Sequence, residues 1–130
     1  MKKRIEKLVP VAIKEAGETL IKKDKNGNNL GYIPKEFKGY ISSFGASVIQ
    51  SGLIPTLAFF SNDEGSKENR SKILDAIFQI LELKSESNNL LKYVVDKYDG
   101  DEEFDKELLK EKIMDTATAL KLAIRTYKLD

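Results

Sequence analysis

The chain has 130 residues, about a third of them charged, with 22 basic and 21 acidic side chains and a net charge of +1. That length suits one domain with one core, over residues 1–130, rather than two. Cysteine and histidine are both absent, which excludes a disulfide framework, thiolate chemistry and the commonest zinc and imidazole catalytic arrangements.

Taken in chain order, Ile5, Leu8, Val9, Ala12, Ile13, Ala16, Leu20 and Ile21 keep helical spacing to about Lys23. Pro10 either kinks this helix or marks its first turn. Asp24-Lys25-Asn26-Gly27-Asn28-Asn29 is a run of turn formers that ends it. As a calcium loop it fails, because Lys22 and Ile33 would fall at the first and twelfth ligand positions. Pro34 can open a second helix, in which Phe37, Tyr40, Ile41, Phe44, Val48 and Ile49 form an apolar face. Gly39 and Gly45 lie inside that helix, where they allow close backbone approach, and Gly52 suits its C-terminal cap.

From Gly39 to Asn62 there is no charged residue, which predicts the buried centre of the fold. The stretch is long enough to span a membrane, but Ser42, Ser43, Gln50, Gly52 and Pro55 make it helix, turn, helix. A short third helix near Pro55 carries Leu57, Ala58, Phe59 and Phe60 inward. After a polar loop over 61–68, Lys72 to Leu83 forms the next helix. Ser85 or Ser87 caps a helix holding Leu90, Leu91, Val94, Val95 and Tyr98, which Asp99-Gly100-Asp101 breaks. A long last helix runs from about Phe104 to Tyr127, its inward set including Leu108, with Asp101, Glu102, Glu103 and Asp105 at the end where negative charge suits its dipole. The expected fold is all-α, a compact single-domain bundle of five to six helices.

Catalytic equipment is missing. No glycine-rich phosphate loop occurs, the serines lack a plausible base, and the acidic run from Asp99 to Asp105 reads as a solvated helix start rather than a metal site. Tyr32, Tyr40, Tyr93, Tyr98 and Tyr127 read as half-buried core residues rather than base-stacking platforms. The expectation is no enzyme, no cofactor, no metal, no small-molecule substrate and no membrane span. The start of the chain does not read as an export signal, so a cytoplasmic protein is expected. Charge is unevenly spread: residues 1–38 carry 10 basic and 5 acidic side chains, 63–115 carry 9 and 15, and 116–130 carry 3 and 1. Such a chain can turn a basic face to a polyanion, or merely solvate its helices.

The run Val48-Ile49-Gln50-Ser51-Gly52-Leu53-Ile54-Pro55-Thr56-Leu57-Ala58-Phe59-Phe60, with the closing helix Thr118-Ala119-Leu120-Lys121-Leu122-Ala123-Ile124-Arg125-Thr126-Tyr127-Lys128, resembles a known family. It is similar to the small all-helical subunit of type III-B CRISPR effector complexes, the fifth protein of the Cmr module. The chain departs from that pattern in Ser61-Asn62-Asp63-Glu64, which delays the following lysine to Lys67, and in Ser51, where asparagine is common. The resemblance implies a non-catalytic architectural subunit. Several copies would stack head to tail beside larger Cmr subunits, against guide RNA paired with target RNA. Lys35, Lys38, Lys121, Arg125 and Lys128 are the candidate RNA contacts, because they flank or lie on the two matching helices. The rival reading is a helical protein–protein adaptor without nucleic acid; an unrecognised enzyme comes last.

Overall fold

A computed structural model describes residues 2–83, 89–100 and 104–130. Among them are six helices and no strand: α1 Lys2–Thr19, α2 Glu36–Ser51, α3 Leu53–Ser61, α4 Ser71–Ile80, α5 Leu90–Gly100 and α6 Lys106–Ile124. The all-α expectation holds. Buried side chains from all six form one apolar cluster, with Phe37, Phe44 and Phe78 its largest fully enclosed members.

α1 and α6 form the widest contact in the bundle. Arg4 pairs with Glu111 and Asp115, while the Tyr127 hydroxyl donates to the carbonyl of Ile13 at 2.6 Å. Low numbers therefore meet low numbers on the two helices, and they run in the same direction. Gly17 makes room for that hydroxyl: a Cβ there would lie 2.5 Å from the Tyr127 oxygen. Pro10 sits inside α1, exposed, where the helix forgoes only the hydrogen bond that a proline nitrogen cannot make. Residues 22–32 follow as a small hairpin, in which Lys22 N–H donates to Tyr32 O and Leu30 N–H to Lys22 O.

The charge-free stretch is not wholly buried. Phe37, Ile41, Phe44 and Val48 occupy one stripe of α2 and are enclosed. Ile49, about 100° further round the helix, leaves that stripe and is 77% exposed. Gly39, Ser42, Ser43, Ala46, Gln50 and Ser51 are also at the surface. In α3 the buried set is Leu53, Thr56, Leu57 and Phe60, so Ala58 and Phe59 face outward. What the missing charge marks is a helix pair whose outer face is uncharged, with small and polar residues around the exposed Ile49 and Phe59. Gly39 has nothing within 4 Å of a built Cβ, and Gly45 only the Met114 methyl at 3.9 Å, so neither serves a tight backbone approach.

Two other expected core residues, Val95 and Leu108, are also exposed, because the buried stripes of α5 and α6 pass through Leu90, Val94, Leu109 and Ile113. The cap of α5 is Asn89, whose side chain accepts from Lys92 N–H at 3.0 Å; Ser85 and Ser87 lie outside the described residues. Asp99 and Gly100 remain helical rather than breaking α5, and Asp101 to Glu103 lie outside the described residues. α6 opens on Asp105, which accepts from Leu108 N–H at 2.9 Å.

Candidate nucleic-acid interface

The site begins with how the segment before α2 is held. Pro34 is buried, and the first turn forms behind it through Phe37 N–H to Pro34 O and Lys38 N–H to Lys35 O, both 3.1 Å. Directly before it, Ile33 N–H donates to Lys128 O at 2.9 Å and Asp130 N–H to Ile33 O at 3.1 Å, an isolated parallel bridge. The chain after α6 thus runs beside the chain that enters α2. Tyr127 fixes this crossing from the other side through its bond to α1.

Those contacts bring the five candidate cations to one end of the bundle. Lys35 and Lys38 are exposed on the first turn of α2, three residues apart and so on neighbouring positions of one helix face. Lys128 is exposed on the bridging segment. Lys121 lines a shallow groove between the helices with Ile41, Ser42, Gly45 and Thr118. Ser42 stands one turn after Lys38, which places Lys38 on the same side of α2 as that groove. Arg125 follows one turn after Lys121, exposed at the C-terminal cap of α6, where positive charge also suits the helix dipole.

Two carboxylates lie among these cations, Glu36 at the start of α2 and Asp130 on the bridging segment. Ion pairs among the described residues join Arg4 to Glu111 and Asp115, Lys22 to Glu68, Lys67 to Glu36 and Lys92 to Asp96, and include none of the five cations. The nearest carboxylate on α2, Glu36, is already committed. Its own backbone N–H holds its pKa below the ordinary value, assisted by Lys67 and then by Lys35. Clustered cations without carboxylate partners can neutralise phosphates, and they carry no base code.

The resemblance named all five cations as flanking or lying on two helices, but what joins the start of one helix to the end of the other is the bridge at Ile33, which no local pattern announces. The exposure of Ile49 and the placing of Arg70 over the Phe59 ring, 4.3 Å from its centre, also escaped the pattern. Helical periodicity run through Val48 would have warned of the first; the second crosses a loop and has no sequence signal.

All five tyrosines are half-buried, and two of their hydroxyls bond backbone across the fold: Tyr127 to Ile13, and Tyr40 accepting from Glu68 N–H at 3.3 Å. Among the described residues no three acidic side chains gather as a metal site, and no helix is long and apolar enough to cross a membrane.

A family model described as CRISPR-associated protein (Cas_Cmr5) matches residues 10–126, which takes in α2, α3, α6 and every candidate cation except Lys128. No curated protein and no solved structure matches the chain. With all but the two ends of the sequence covered by that model, the chain belongs to the Cas_Cmr5 family, the small subunit of the type III-B CRISPR Cmr complex.

Proposed function

We propose that this Cmr subunit is a non-catalytic, one-domain building block that holds the paired guide and target RNA along the complex. Lys35, Lys38, Lys121, Arg125 and Lys128 meet the phosphates. The observation that supports this reading is that five cations, none in an ion pair among the described residues, lie on the segments that the bridge at Ile33 joins, the start of α2 and the end of α6. Copies stack head to tail beside the larger subunits. The basic end of one copy meets the acidic middle-to-late part of the next, a heterologous contact that suits a filament. Chemistry resides in other subunits, and this one positions.

The test is a purification of the tagged protein from its host in low salt, beside a variant in which Lys35, Lys38, Lys121 and Arg125 are all changed to Glu. The wild type is expected to bring down guide RNA and larger Cmr subunits. The variant should keep its helical circular dichroism but lose assembly or target-RNA capture. Wild-type behaviour of the variant in both assays removes the site assignment.

One observation favours the rival adaptor role. Ile49, at 77% exposure, overhangs a groove that also holds Ile5 and Met114, which suits a protein contact. Recovery of protein partners with no RNA from the same purification would favour that role.

A further inference from the structure

We propose that Phe59 and Arg70 form a stacking site for an unpaired nucleobase of bound RNA, separate from the phosphate-contacting cations; this rests on the RNA-binding reading above. The turn between α2 and α3 explains most of its residues by packing. Leu53 and Leu57 are enclosed, and Thr56 is fully buried, with its hydroxyl bonded to Gly52 O at 2.8 Å and to the Ser47 hydroxyl at 2.7 Å. Phe59 is the exception. It is 58% exposed, and its one aromatic neighbour is the edge-packed ring of Phe60, 5.7 Å away.

Arg70, eleven residues later, lays its guanidinium over that ring at 4.3 Å from the centroid. Two bonds fix it there: Nε donates to Asn62 O at 2.9 Å and a terminal nitrogen to Glu64 O at 3.2 Å. Both acceptors are backbone carbonyls, and among the described residues Arg70 joins no ion pair, so its positive charge stays available. The nearby Asp63 carboxylate accepts from Ser71 N–H and its hydroxyl, which points its oxygens at the start of α4 while its charge remains in the loop. A 58% exposed ring with a planar guanidinium pinned over one face presents an arginine–aromatic stack, the kind of platform on which single-stranded RNA bases stack and beside which a phosphate finds positive charge.

The site is fixed to the same body as the candidate cations. The loop that carries Arg70 is tied to the first turns of α2 by Lys67–Glu36 at 3.5 Å and by Glu68 N–H to the Tyr40 hydroxyl at 3.3 Å. Glu36 and Tyr40 are each two positions from Lys38, so the loop docks on a different flank of α2 from that lysine.

The experiment titrates the full chain, in low salt, into a single-stranded RNA carrying 2-aminopurine, whose fluorescence is quenched on stacking. Wild type should bind and quench. Phe59→Ala should weaken binding by roughly five- to a hundredfold, abolish the quench and leave the salt dependence unchanged, since no phosphate contact is lost. Phe59→Tyr should restore both. The pair Lys121→Glu and Arg125→Glu should weaken binding yet keep the quench at saturation. Wild-type binding and quench in Phe59→Ala overturns the stacking site and leaves the phosphate reading standing. So does wild-type binding of the RNA with no quench at all. A Phe59→Ala protein that binds RNA normally but fails to join the complex makes Phe59 a protein contact instead. Absence of any RNA binding by the wild type brings down both readings together.

Discussion

Gly52 holds φ at 94° and ψ at 167° between α2 and α3, a region that side chains with a Cβ almost never enter. Its N–H closes α2 on Val48 O, and its carbonyl accepts the Thr56 hydroxyl. A Cβ placed there would meet Pro55 Cδ at an ordinary 3.8 Å, so an alanine would be strained through its backbone rather than by collision. Gly52→Ala should cost about 1–3 kcal/mol in denaturant unfolding with the fold retained. Gly39→Ala gives the contrast, because its Cβ enters open space in the middle of a helix. It should stabilise by about 0.4–1 kcal/mol, and an equal loss from both changes would refute the backbone explanation.

At the scale of elements, the hairpin over 22–32 hangs on one carboxylate. Asp24 accepts from the backbone N–H groups of Asn28 and Asn26 and from the Asn28 side chain, at 2.8–3.1 Å. These bonds, the Asn28 N–H foremost, lower its pKa from an ordinary 3.8. A depressed acid stabilises the fold fully above its unfolded pKa, and that contribution is lost as pH falls through the lower folded value. Protection of the Asn26 and Asn28 amides, measured against their intrinsic exchange at each pH, should therefore fall on acidification below the ordinary Asp range, and Asp24→Asn should remove the pH step. Protection that stays constant in acid would show the turn holding without the charge. This hairpin was legible as a turn because Asp, Asn and Gly have local reasons to form one. The helices were legible for an equally local reason, since a 3.6-residue period is written in neighbours. Side chains at the margin of a stripe were not. Ile49, Val95 and Leu108 are apolar residues just off the buried line, and hydrophobicity without angle assigned them inward. The candidate cations fell between these cases: each helix displayed its own pair, but only the pairing of Ile33 with the segment after α6 brings the start of α2 to the end of α6.

For the whole molecule, a net charge of +1 hides an uneven distribution, and salt is the variable that exposes it. If the cations at the joined ends of α2 and α6 contact phosphate, changing Lys38 or Lys121 to Gln should each lower the slope of log affinity against log salt by about 1. Lys92, already paired with Asp96 on α5 at 3.9 Å, is the control and should leave that slope as it was. Equal slopes for all three variants would remove the phosphate assignment. The contact between α1 and its neighbours bears on something other than binding, namely the order in which the molecule comes together. α1 is made before the other five helices, yet it packs mainly on α6 and α4, and the bond from Tyr127 to Ile13 spans 114 positions. While the ribosome is still making α2 and α3, Ala12, Ala16 and Leu20 have no surface to cover them. The apolar side of α1 is therefore closed late, once α4 and α6 have been made, and until then Ala12 and Ala16 stand open to whatever waits outside the ribosome.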